Sequence, residues 1–106
     1  MIDILKTPLK IWIDDIRPAP AGYIWLKSVN ETIQYLSNVS DGYAIELIDL
    51  DHDAGDFAKD GGDYIRILDY LEIVGYNGTI RIHSMNPVGV QNMRNIIQKN
   101  GWREIY

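Results

Sequence analysis

Five apolar runs punctuate the chain, and most stop abruptly at polar or turn-forming residues. Lys10-Ile11-Trp12-Ile13 is β-branched and aromatic and ends in Asp14-Asp15, which predicts a buried central strand. Residues 1–9 read as a lead-in containing Pro8, and residues 16–22, with Pro18, Pro20 and Gly22, read as a loop. Further strands are predicted at Tyr23–Lys27, Ala44–Leu50, Thr79–His83 and Trp102–Tyr106.

The segments between carry helical spacing. Ser28-Val29-Asn30-Glu31 has the S-x-x-E pattern of a capping box, and Val29, Ile33 and Leu36 give the following helix an apolar stripe to about Asn38. Ser40-Asp41-Gly42 reads as a turn, and 51–60 as a polar loop. Gly61-Gly62-Asp63 opens a second helix bearing Tyr64, Ile65, Leu68, Leu71 and Ile73, with Gly75 placed to end it in a left-handed cap. After a turn at Tyr76-Asn77-Gly78, Asn86-Pro87 offers an asparagine cap and a proline at the first helical position. Val90, Met93, Ile96 and Ile97 stripe this last helix, and Gly101 stops it. Trp12 and Trp25 are expected in the core, Trp102 partly exposed.

Strands alternating with helices predict a small α/β fold, doubly wound around a mostly parallel sheet of five strands. One link strains the pattern. Residues 16–22 are too few for a helical crossover between parallel strands. Either that loop crosses without a helix, or the second strand sits elsewhere.

Composition narrows the possibilities. The 106 residues, 46% hydrophobic, fit a single domain over 1–106. No apolar run is long enough to cross a bilayer, and Met1–Lys6 lacks the pattern of a signal peptide. The absence of cysteine removes disulfides and thiolate metal sites and favours a cytoplasmic setting. A net charge of −5 with no Lys/Arg-rich block argues against an extended nucleic-acid-binding surface, though not against one nucleotide or an RNA terminus. Oligomeric state is not specified.

Three segments following predicted strands hold the unusual chemistry: Asp14-Asp15-Ile16-Arg17-Pro18, Asp51-His52-Asp53-Ala54-Gly55 and His83-Ser84-Met85-Asn86-Pro87. If those strands are parallel neighbours, the segments meet at the carboxyl edge of the sheet, where open α/β folds bind ligands. Crowded carboxylates there demand a cation, a proton or both. Asp14, Asp15, Asp51 and Asp53 are hard oxygen donors suited to Mg²⁺ or another divalent cation. Sharing one ion requires the backbone to turn at Asp14-Asp15, because an extended strand would send them to opposite sides. The rival reading is a set of solvated turn acids. Asp49, two positions before Asp51, stands apart as a charge in an apolar strand that needs a partner.

His52 and His83 are the chain's two histidines and candidates for proton transfer, with His83 the stronger. Carboxylates flank His52, which fits a protonated ring or a metal ligand. Ser84, Asn86 and the amides opening the last helix can cradle an anion. Gly89 allows either close backbone approach or helix packing. Arg17 can fork onto phosphate oxygens or pair with a neighbouring acid.

Taken together, the motifs resemble those of the cyclic-phosphate-processing receiver-like domain family, DDxRxxP, DHDxG and HSxNPxG followed by NM. Here they are Asp14–Pro20, Asp51–Gly55 and His83–Gly89 with Asn92-Met93, so the resemblance spans about residues 10–105. It implies a receiver-like, flavodoxin-like domain that handles cyclic or terminal phosphates of nucleotides or RNA. More distantly, Asp14-Asp15, Asp51 and Ser84 are similar to the acidic pair, central aspartate and Ser/Thr of response-regulator receivers. Against that pattern, no lysine follows the last strand, and the first crossover helix and final helix are missing or reduced. The combined expectation is a metal-dependent phosphoesterase with Asp51, His52, His83 and Ser84 in catalysis and Arg17, Ser84, Asn86 and Gly89 on the substrate. Asp51 is either nucleophile or metal ligand. The alternatives are a non-catalytic receiver that binds metal and phosphate for signalling, and an adaptor whose acids meet a basic partner.

Overall fold

The computed structural model describes residues 7–39 and 43–106. The expected turn at 40–42 and most of the lead-in lie outside them. Five strands, β1 (Thr7–Ile13), β2 (Tyr23–Leu26), β3 (Tyr43–Leu50), β4 (Thr79–Ile82) and β5 (Arg103–Ile105), form one sheet in the order β2-β1-β3-β4-β5. Every pairing is parallel, the flavodoxin-like arrangement. The helices are α1 (Val29–Asn38), α2 (Ile65–Ile73) and α3 (Pro87–Asn100), with a 3₁₀ turn at Gly55–Asp60.

Strand β1 begins earlier than its apolar run, at Thr7, and includes Pro8. β2 pairs only from Lys10 onward, so Pro8 lies beyond that neighbour, where its missing donor costs little. The capping box forms in a shifted version: Ser28 Oγ accepts from the Glu31 amide, and the Glu31 carboxylate accepts from the Lys27 amide, one residue before the cap. Asn86 caps α3 by accepting from the Gly89 amide, and Pro87 opens that helix. Gly75 takes φ +74° just past α2, as a left-handed cap requires.

Chain direction sets which face is covered. The steps β2→β3, β3→β4 and β4→β5 all run the same way across the sheet, and each carries a helix. Right-handed crossovers place those three helices on one face. The core agrees, because Ile11, Ile13, Ile48, Leu50 and Ile80 pack with Val29, Ile67, Leu68, Leu71, Met93 and Ile97. The reverse step, β1→β2, has only the loop 14–22, so it crosses without a helix. Residues of the other strand parity, among them Lys10, Trp12, Trp25, Asp49, Arg81 and Arg103, therefore lie on a face that no helix among the described residues covers.

Trp25, Trp102 and Ile73 depart from their expected placements, while Trp12 is buried as expected. Trp12 is buried but sits on the helix-free face, where its indole N–H donates to the Arg17 carbonyl at 2.8 Å. Trp25 is half-buried there and donates to the Asp14 carbonyl at 2.8 Å, so the crossing loop is pinned to the sheet by two indoles. Trp102, in contrast, is in the core and donates to the Tyr76 carbonyl. Ile73 leaves the predicted stripe as well, being 83% exposed. No helix among the described residues is long and apolar enough to cross a membrane.

Candidate functional site

The three motifs start side by side. Just past the strands the ladder runs on for one residue. The Asp14 amide donates to Leu26, the Asp51 amide to Ile13, and the His83 amide to Leu50. Asp14, Asp51 and His83 are therefore fixed at the carboxyl edge of β1, β3 and β4 by backbone geometry.

The backbone turns at Asp14, as sharing a site with Asp15 requires. Asp14 Oδ1 accepts from the amides of Ile16 and Arg17, both at 2.9 Å, folding the chain back on itself. Ligand oxygens of Asp14, Asp15 and Asp51 then lie within 4.8 Å of one another. Asp53 does not join them. It groups with His52 and Asp63, so the four predicted acids fall into two neighbouring sets rather than one.

Arg17 ties the first set together. Its Nε is 3.0 Å from Asp14 Oδ2, and a terminal nitrogen is 3.1 Å from Asp51 Oδ2. The side chain is 48% exposed, which leaves it able to swing toward a ligand. Burial alone would push Asp14 up, yet the amides of Ile16 and Arg17, the His83 ring and the Arg17 charge outweigh it and hold Asp14 below the usual carboxylate range. Asp15 goes the other way. Burial raises it against the downward pull of its own amide, and the Asp14 charge, a hydrogen bond to Asp14 and the Asp51 charge add to the rise. The three carboxylates of Asp14, Asp15 and Asp51 could together hold a metal ion.

The two histidines differ in their surroundings. Both nitrogens of His83 are engaged, Nδ1 with Asp49 at 2.6 Å and Nε2 with Asp14 at 2.9 Å. Its side chain is 7% exposed and stacked on Trp12 at 3.8 Å. His83 therefore holds two carboxylates apart and presents no nitrogen to a ligand. His52 engages only Nδ1, with Asp53 at 2.8 Å, and Nε2 has no hydrogen-bond partner among the described residues.

The remaining candidates are partly absorbed by local structure. Ser84 Oγ accepts from the Asn86 amide at 3.2 Å, and the Asn86 side-chain nitrogen approaches Asp53. Gly89 is needed for close approach, though of the His52 ring rather than a ligand: a Cβ there would strike the imidazole. Asp49 finds two partners, His83 and Arg81, the latter at 3.0 Å. Sequence reasoning marked Asp49 as needing a partner but did not place it beside the site. Its signal was the i, i+2 spacing to Asp51, which puts both on one side of β3. Asp63, which accepts from the Ala54 amide, carried no such signal. A hollow of about 500 Å³ between Leu9, Ile24, Tyr35 and Tyr43 opens at the opposite edge of the sheet and has none of this chemistry.

A parallel sheet in this order, with an acidic pair after β1, an aspartate after β3 and a serine after β4, defines a receiver-type α/β domain. The family comparison narrows the class: the chain matches the cyclic-phosphate processing receiver domain over residues 9–99 and belongs to that family. No curated protein and no solved structure gives a significant match.

Proposed function

We propose that the domain is a metal-dependent phosphoesterase acting on cyclic or terminal phosphates of nucleotides or RNA. Family membership supports phosphate processing, and the observation that carries the finer reading is the gathering of Asp14, Asp15 and Asp51 oxygens within 4.8 Å. A divalent cation held by these three would neutralise phosphate charge and polarise a water. Arg17 exchanges its grip on Asp14 and Asp51 for the phosphate oxygens, a pairing its planar fork suits. His52, oriented through Nδ1 by Asp53, transfers a proton at Nε2. Backbone amides opening α3 and the Ser84 hydroxyl complete the anion's surroundings. Asp51 either binds the metal or attacks phosphorus. Lack of cysteine fits a cytoplasmic setting.

The test is release of product from a 2′,3′-cyclic nucleotide with Mg²⁺ and with chelator. Asp51→Asn should abolish turnover, and His52→Ala should lower it roughly 10²–10⁴-fold, the range for a lost proton-transfer group. Turnover unchanged in both variants rejects the assignment.

A second reading, a receiver that binds metal and phosphate without turnover, draws on the closure of His83, whose two nitrogens are both taken. It expects Mg²⁺-dependent binding of a phosphoryl analogue at Asp51 and no product.

A further inference from the structure

The face without helices carries a charge opposite to the chain as a whole. The molecule is net −5, yet Lys10, Lys27 and Arg103 have no carboxylate partner among the described residues. Asp49 on that face is buried and matched by Arg81. Glu46 is the acid bordering the shallow hollow of about 280 Å³ formed with Lys10, Leu47, Thr79, Arg103 and Ile105. Two of the cations sit on aromatic rings. Lys10 Nζ is 5.6 Å from the Tyr23 ring centre, and Lys27 Nζ is 4.4 Å from that of Trp25. Both rings are half-buried and belong to β2, at one edge of the sheet.

We infer that this face is a platform for a short single strand of nucleic acid whose terminal phosphate enters the acidic site. The inference rests on the function proposed above and adds that the substrate is an oligonucleotide end rather than a mononucleotide. A sheet face with half-buried aromatic rings beside cations that have no carboxylate partner suits stacking of bases along a phosphate backbone once the lysines turn from the rings to the phosphates. Neighbouring strands are about 4.8 Å apart, so five span about 19 Å, room for about three nucleotides. The platform is continuous with the site, because the Trp25 indole donates to the Asp14 carbonyl. Like charges on the face oppose pairing with a second copy of the chain. The cations come from separate strands and the residue following β2, so no basic block exists in sequence to announce them.

Binding is measured by anisotropy with a labelled RNA hexamer bearing hydroxyls at both ends, which does not require the acidic site. The wild-type chain should bind it, and Lys10→Glu/Arg103→Glu should weaken binding at least 10-fold. Loss of two phosphate contacts should also lower the salt slope by about 1.4. Both charge changes are at exposed positions, and matching thermal melts check the fold. Tyr23→Ala should weaken binding without changing the salt slope. Equal binding by wild type and the double variant overturns the proposal. So does equal competition by a duplex of the same sequence or by polyglutamate. A wild-type dimer that the double variant dissociates would assign the face to self-association instead. Failure of cyclic-nucleotide turnover with hexamer binding intact removes only the catalytic reading. Absence of hexamer binding removes the platform whatever the turnover.

Discussion

Asp14 and Asp15 are adjacent in sequence, follow the same strand and face the same site, yet their environments push them in opposite directions. Asp14 is 1% exposed, and both its oxygens are occupied by donors. Asp15 is less buried and meets mainly other carboxylates. Burial pushes both acids up, and it prevails at Asp15 but is overcome at Asp14. What decides the outcome is how many donors the surrounding backbone and side chains aim at each oxygen. The first of the pair builds the site, and the second leaves it a carboxylate that a metal ion could use.

The largest break in this comparison comes from Asp14→Ala. It strands His83 and Arg17, and removing one partner from a buried charged network costs about 3–5 kcal/mol. Asp15→Ala should change stability by less than about 1 kcal/mol. Urea unfolding of both variants measures the difference, and equal losses would refute the division of labour.

Gly55→Ala should come next. Gly55 has φ +56°, where a side chain costs about 1–2 kcal/mol, and its Cβ would strike the Asp15 carboxylate. Gly22→Ala is the matched control, since it shares a positive φ, at +85°, but meets open space. Both should lose stability, and Gly55→Ala alone should lose Mg²⁺ affinity by calorimetry.

Dependence on pH separates the pair further. Asp14, held low, contributes stability that is complete above its ordinary value of 3.8 and is lost as pH falls through the lower folded value. Asp15, held high, has the reverse sign: its contribution is complete below 3.8 and is lost as pH rises through its raised folded value. Asp14→Asn should flatten the acid limb of a stability profile measured without metal, and Asp15→Asn should remove the decline above it. The smallest effect expected is that of Asp15→Asn near neutral pH without metal, a gain of under about 1 kcal/mol. That variant should also lose any stabilisation by Mg²⁺ in a thermal melt.

Much of the fold could be read from the chain because its signals are local. The capping box at Ser28, the Asn86-Pro87 start and the abrupt polar ends of the strands each settle within a few residues. Their spacing was enough to place Asp14, Asp51 and His83 at one edge. Partner choice was not local. Whether His83 faces substrate or Asp49 depends on β3 and β4 being neighbours with Asp49 opposite Arg81, a register no single motif encodes. The same holds for Trp12 and Trp25. Alternation shows that a strand has two sides, but only the order of strands and the direction of each crossing show which side keeps its helices. Asp53 was grouped with the other acids because it is close in sequence to Asp51, and the chain turns it toward His52 instead.

The Trp12–His83 stack has a practical consequence. Two rings inclined by 6° at 3.8 Å are within van der Waals contact, so the surroundings of the indole change whenever the imidazole moves. Since His83 also touches Asp14, any rearrangement of the acid cluster on loading should alter the brightness of Trp12. The protein would then report occupancy through its own fluorescence, without an attached dye.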